Sequence, residues 1–265
     1  MNTFNKKYGS WGLVTGASSG IGEEYAKQLA AKKMNIILVA RRQDRLETLA
    51  KELENKYEIE TKVIIADLTT DKGLQAVIDG ADELQVGLLI NNAGIEDSGH
   101  FLTTSIDKAV DTLSLNCKAP LVLTHHFAKD MIKRKRGGII FMSSLVAFQG
   151  TPYIANYAAT KAYDLILSES LAAELQHYNL DVLSVNSGFA QTELSQGFDF
   201  KGLPIKPISA QKVAAAGLKY LGKKRVVVPG AINKFLYITG KYIQPRKFNT
   251  FAFGKVFSHV LRKKL

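Results

Sequence analysis

From residue 11 to residue 228, short apolar and β-branched runs alternate with helical stretches, and this alternation leaves few folds open. The runs are 11–15 (WGLVT), 35–40 (NIILVA), 62–66 (KVIIA), 86–90 (VGLLI), 138–142 (GIIFM), 180–185 (LDVLSV) and 225–228 (RVVV). Several are apolar at consecutive positions, which is how a strand reads when both faces of its sheet are covered. Between them, 21–33, 42–57 and 157–178 read as helices. The pattern predicts an α/β fold: a doubly wound, seven-stranded parallel sheet in three layers, α/β/α. No repeat, low-complexity segment or linker divides the chain. One domain over 1–265 is expected, with 231–265 as a basic C-terminal extension. The 265 residues, 46% of them hydrophobic, suffice for such a core.

Composition removes several other classes. No stretch approaches the roughly 18–20 uninterrupted apolar residues of a membrane span. Residues 1–10 are polar and lack the apolar core of a secretory signal. Cys117 is the sole cysteine, so no internal disulfide or multi-cysteine metal site can form. The adjacent His125 and His126 point to different sides of a helix, and no metal is assigned. A reducing cytoplasm is the expected location. The net charge of +11 is unevenly spread: no Asp or Glu follows Asp199, while residues 200–265 hold 15 Lys/Arg. Residues 1–199 carry 20 Lys/Arg against 24 Asp/Glu. The tail is suited to an anionic partner, whether a phosphorylated substrate, an acyl carrier or a membrane periphery, or is simply a solvated basic face. Within it, Phe253, Val256, Phe257, Val260 and Leu261 share one helical face, and Arg262, Lys263 and Lys264 follow. That face either packs on the body or another subunit, the commoner use, or lies on membrane or near a lipid substrate.

The first run leads into Thr15-Gly16-Ala17-Ser18-Ser19-Gly20-Ile21-Gly22. Glycines between a strand and a helix let the backbone turn sharply and approach a pyrophosphate, and the helix start supplies free N–H groups. At the end of the second run, a site for NAD would place an acid on the ribose hydroxyls. This chain has Arg41 and Arg42 there, either of which can bind a 2′-phosphate, Arg41 foremost. NADP(H) is therefore the expected cofactor. Asp67, after the third run, can accept from an adenine amino group or cap a helix. Asn91-Asn92-Ala93-Gly94 follows the fourth and allows close approach of adenine and ribose.

Tyr157 and Lys161 stand four apart, on one helical face. A free tyrosine, with a pKa of about 10, is a poor acid–base catalyst at neutral pH, and a fixed cation is expected to lower that value. Tyr157 could then give a proton to a carbonyl oxygen or take one from an alcohol. Ser144, at the end of the fifth run, can bond the same oxygen. Asn116 either orients a water behind Lys161 or satisfies a buried backbone group. Phe148, Gln149, Tyr153, Phe189 and a flap over 189–208 are expected to border a pocket for a lipophilic carbonyl.

Together the glycine turn, Asn91–Gly94, Asn116, Ser144 and Tyr157 with Lys161 resemble the short-chain dehydrogenase/reductase family in its single-domain branch, over residues 10–192. The resemblance implies a Rossmann-like fold and a Ser–Tyr–Lys–Asn tetrad. It implies hydride exchange between a nicotinamide and a carbonyl or secondary alcohol, and a homodimer or homotetramer built from the long helices. The implied cofactor contacts are Gly16, Ser18, Ser19, Gly20, Ile21, Gly22, Arg41, Arg42, Asp67, Leu68, Asn92, Ala93, Gly94, Tyr157, Lys161, Gly188 and Thr192. One departure stands out: Ser187 replaces the family's usual proline before Gly188. The turn at 228–230 and the basic tail are similar to relatives acting on fatty 3-oxoacyl thioesters or steroids. Two other readings compete. One is a catalytically idle NADP-binding sensor or scaffold acting through its tail, which would have no use for an acid–base pair. The other is nonspecific nucleic-acid binding, for which no recognised module is present.

Overall fold

The computed structural model describes residues 3–203 and 205–262. The seven runs form β1 (Trp11–Thr15), β2 (Asn35–Ala40), β3 (Thr61–Ile65), β4 (Val86–Asn91), β5 (Gly137–Ser144), β6 (Leu180–Ser187) and, after a short parallel pair β7 (Ala190–Gln191) and β8 (Ile208–Ser209), β9 (Val226–Val227). They make one parallel sheet in the order β3-β2-β1-β4-β5-β6-β9. Helices α1 (Thr3–Tyr8), α2 (Gly20–Ala30), α3 (Gln43–Tyr57), α4 (Asp71–Ala81), α5 (Ile106–Leu113), α6 (Ala119–Arg134), α7 (Ala155–Glu174), α8 (Ala210–Tyr220), α9 (Ala231–Tyr242) and α10 (Arg246–Val260) complete the described chain.

The consecutive apolar positions are used on both faces. Val14, Leu38, Ile90, Ile140 and Val185 pack against α2, α3 and α8 through residues such as Tyr25, Leu46 and Val213. Their neighbours Leu13, Val39, Leu89, Phe141 and Val182 pack against α4 and α6 through Val77, Leu123 and Met131. Alternate side chains of a strand point to opposite faces, so one run feeds two cores. Burying each of these side chains contributes roughly 1.5–3 kcal/mol.

Element ends differ from the sequence reading in small ways. α2 stops at Ala30 because the chain turns there, with Lys33 in the left-handed region at φ 59°. α7 begins at Ala155, two residues early, and gives way at Leu175–Tyr178 to a 3-10 turn. Asn116 lies not in a plain helix but in the π-helical turn Ser114–Lys118 joining α5 to α6. The strand order reverses between β1 and β4, and ligands in such sheets bind outside the carboxyl ends of the strands at that point. Lys263 and Lys264 of the basic terminus lie outside the described residues.

Candidate active site

The glycine turn sits at that reversal. Gly16 is left-handed (φ +67°), and a Cβ on Gly22 would come within 2.2 Å of Gly16 O, so side chains there would destroy the turn. Thr15 and Asn92 staple the two strand ends together. Thr15 Oγ1 accepts from the N–H of Asn92 (2.9 Å) and Ala93 (3.0 Å), and Asn92 Nδ2 donates to Thr15 O (2.9 Å). Around this staple opens a crevice of about 360 Å³, lined by the turn from Gly16 to Ile21, by Arg41 and Arg42, by Asp67 and Leu68, and by Asn92 to Gly94. Its glycine cradle, strand-end amides and basic rim fit a dinucleotide carrying an extra phosphate.

The two arginines behave differently. Arg42 reaches back over the turn, donating to Ser18 Oγ (2.9 Å) and Ser19 Oγ (2.7 Å). Arg41 is more exposed and pairs with Asp67 (3.7 Å). Arg42 is the arginine bonded to the turn, and Arg41 lines the same crevice beside Asp67. Asp67 caps no helix; its Oδ1 accepts from the N–H and Oγ1 of Thr69, and Thr70 caps α4. Glu193, which the sequence reading passed over, accepts from Arg42 (2.6 Å) and from Arg45. These bonds hold its carboxyl down at about 2.

Across Asn92 and Gly94 the crevice meets an apolar cavity of about 300 Å³. Ser144, Tyr157 and Lys161 stand at its floor. Ser144 Oγ accepts from the N–H of Val146 (3.4 Å) and acts on the Tyr157 hydroxyl, pulling its pKa down. Lys161 is buried beneath, its Nζ 5.8 Å from the Tyr157 ring centre, donating to Met142 O (2.9 Å) and paired with Asp164 Oδ2 (3.0 Å). Ser143 Oγ donates to Lys161 O (2.7 Å), which docks α7 on the end of β5. Asn116 satisfies buried backbone groups, one of its two expected roles, and borders a small space behind Lys161, as the other requires. Its side chain clamps the backbone of Ile95 in both directions and donates to Thr160 Oγ1 (3.0 Å).

Tyr157 corrects an electrostatic expectation. Burial pushes its pKa above the ordinary value and outweighs the pull of Lys161, with Glu96 and Asp164 adding to the rise. In this state Tyr157 is a held acid rather than a ready base.

The cavity walls also depart from expectation. Phe189 and the flap contribute, as do Leu194, Phe198 and Ile205, but Phe148, Gln149 and Tyr153 do not line it. Phe148 turns away to pack on Tyr237 (4.6 Å), Gln149 donates to Leu145 O, and Tyr153 meets His100 edge-on (5.2 Å). The roof is instead α9 and α10, through Leu236, Phe248, Phe253, Val256 and Phe257. The apolar stripe of the tail thus packs on the body and at the same time walls the cavity. Its end is fastened to the flap: Arg262 pairs with Asp199, and Asp199 N donates to Val260 O (2.9 Å). Ser187 lines the cavity and donates from Oγ to Gly188 O (2.9 Å). Gly188 lies against α9, where a Cβ would meet Asn233 Oδ1 at 2.5 Å. Thr192 borders both spaces and lies over Gly20.

Known proteins match this layout. The family model described as short chain dehydrogenase matches residues 11–200. A very-long-chain 3-oxoacyl-CoA reductase of Scheffersomyces stipitis is 39% identical over an alignment of 207 residues that covers 74% of this chain but 60% of that relative's length. A solved structure of a 7beta-hydroxysteroid dehydrogenase superposes with a TM-score of 0.88 at 27% identity, covering 96% of this chain and all of that one. A short-chain dehydrogenase from Sphingobium yanoikuyae in complex with NADPH gives 0.76 at 32% identity, covering 83% of this chain and 86% of that one. With its sheet order, glycine turn and Tyr157–Lys161 floor, the chain belongs to the short-chain dehydrogenase family.

Proposed function

We propose that the protein is an NADP(H)-dependent oxidoreductase that exchanges hydride with a lipophilic carbonyl or secondary alcohol. The observation that carries this reading is the floor shared by the two spaces. Tyr157, beside Ser144 and backed by Lys161, stands where a dinucleotide-sized polar crevice opens into an apolar cavity. The cofactor supplies the hydride when bound. Ser144 and Tyr157 hold the substrate oxygen, and Tyr157 gives it a proton in the reduction direction, which the raised pKa favours. Lys161 fixes the positive charge behind the phenol. A pure cofactor sensor has no use for this buried arrangement.

NADP(H) over NAD(H) is supported by Arg42 at the turn, by the lack of an acid at the end of β2, and by the related NADPH complex. A lipophilic substrate is supported by the aromatic roof and by the activities that the relatives are named for, on a 3-oxoacyl-CoA and a hydroxysteroid. Homo-oligomer formation is supported by exposed apolar residues on the outer helices, among them Ile106, Val110, Leu121 and Ile166. The tail adds exposed Phe235, Tyr242, Ile243 and Phe251 beside lysines and no acids, a surface suited to an anionic lipid or carrier. Among the described residues no helix is long and apolar enough to cross a membrane.

The test is NADPH oxidation across ketones, aldehydes, hydroxysteroid-derived ketones and 3-oxoacyl thioesters. Turnover rising with substrate apolarity is expected. Tight NADPH binding with no turnover on any of them would overturn the reading.

A further inference from the structure

Behind Lys161, away from the substrate cavity, lies a polar set that the hydride chemistry leaves unused. Tyr157, Lys161 and Asp164 stand at i, i+4 and i+7, one above another on the same face of α7. The side chains of Lys161 and Asp164 are only 6% and 4% exposed, and Asp164 Oδ2 lies 3.0 Å from the ammonium. With Met142 O at 2.9 Å, this leaves Lys161 Nζ little freedom. The second carboxylate oxygen, Asp164 Oδ1, is buried without a partner, and so is Asn91 Oδ1. Both residues line, with Lys161 and Asn116, a pocket of about 10 Å³, room for a single water. A carboxylate so deeply buried is costly unless it is paired, and here its partner is the very lysine that backs the tyrosine.

The other titratable groups facing Asp164 are few. Cys117, from the π-helical turn, has its thiol pushed up to about 11, chiefly by burial, and so stays neutral near pH 7. Tyr163, on the same helix, is likewise shifted upward by burial and by its neighbours Cys117 and Asp164. Among the described residues, Lys161 is thus the one cation acting on Asp164.

We propose that Asp164 is a positioning residue of the proton-transfer site, clamping the Lys161 ammonium from behind and offsetting part of its charge, so that Tyr157 keeps its proton for delivery to a carbonyl. This rests on the carbonyl reductase reading. The sign holds while Lys161, itself buried, stays charged. Removing a negative charge near Tyr157 favours the phenolate, so the phenol is lost at lower pH. Reduction then fails earlier as pH rises, and alcohol oxidation gains at neutral pH.

The test uses the full chain with Asp164→Asn, which keeps shape and loses charge. The alkaline limb of kcat/KM for NADPH-driven reduction should move down by about one pH unit, the lower end of what a close charge does to a pKa. The limb for alcohol oxidation should move with it, and NADPH affinity should stay at the parent value. Asp164→Ser, which leaves room for a water beside the ammonium, is the second variant should the first not fold, and the same shift is expected. A readout without any carbonyl is the tyrosinate absorbance of each variant minus that of the same variant carrying Tyr157→Phe. It separates failure of this inference from failure to find a substrate. A folded, NADPH-binding variant whose limb and tyrosinate midpoint both stay at the parent's pH would overturn the proposal and leave Asp164 a purely structural ion-pair partner.

Discussion

The crevice and the cavity share a wall and are built in opposite ways. The crevice is made by backbone: glycines, strand-end amides and the Thr15–Asn92 staple leave little for side chains except charge at the rim. The cavity is made by side chains: aromatic residues from a flap and two C-terminal helices close over three polar residues on its floor. A backbone-built site fixes one ligand shape, because a pyrophosphate needs the same N–H groups whatever else is bound. A side-chain-built roof can be changed without disturbing it. Under the proposed function, the chemistry belongs to the floor, cofactor choice to the rim and substrate choice to the roof.

Substitutions at four places test that division. The largest effect is expected at the floor. Lys161→Met strands Asp164 in the interior and should cost up to about 3–5 kcal/mol of stability, with turnover lost. Chemical denaturation reads the first, and the double change Lys161→Met with Asp164→Leu should recover most of it. No recovery would mean that the pair is not what holds this region. At the rim, Arg42→Ala should weaken NADPH by roughly 10- to 100-fold, from a charge-assisted bond of about 1.5–3 kcal/mol, and leave NADH unchanged. Titration of cofactor fluorescence decides this, and equal losses for both cofactors would remove Arg42 from the phosphate site. Arg41→Ala should do less.

At the roof, Phe253→Ala should raise KM for a bulky ketone roughly 10-fold while a small aldehyde and NADPH are untouched. A uniform loss across substrates would show that roof and floor are coupled. The smallest effect is expected at the seam, where Glu193 joins flap to rim. Its carboxyl is held at about 2, against an ordinary value near 4.5. The bridge to Arg42 and Arg45 therefore contributes fully above pH ~4.5 and is lost as pH falls through about 2. The groups are largely exposed and screened, so Glu193→Gln should barely move the denaturation midpoint at neutral pH. A large shift there would make the flap a structural part of the rim.

Much of the floor and crevice was legible in the sequence because it is written locally. The glycine turn spans eight residues, and Tyr157 and Lys161 are one helical turn apart. The sheet followed from strand runs apolar at consecutive positions. What was not legible depends on contacts between distant segments. The apolar stripe at 253–261 announced that it needed a partner, but not that its partner was a cavity 60 to 110 residues back along the chain. Phe148 lies close to Ser144 in sequence and misled for that reason, since it ends the 3-10 turn after β5 and packs on Tyr237. Two adjacent arginines at the rim did not say which would bond the turn. Lowering of the Tyr157 pKa by Lys161 was sound as a pairwise argument. It failed because burial, Glu96 and Asp164 act on the same hydroxyl. Asp164 itself was visible three residues after Lys161, an acid on a face otherwise destined for the core.

The central claim is that Tyr157 delivers a proton while NADPH binds independently of it. The most direct measurement compares the parent with Tyr157→Phe, reading NADPH affinity and NADPH-dependent reduction of the best carbonyl found. The account predicts unchanged affinity and a rate lower by roughly 10²- to 10⁴-fold, the usual contribution of a positioned general acid. Reduction at the parent rate by the phenylalanine variant would contradict it.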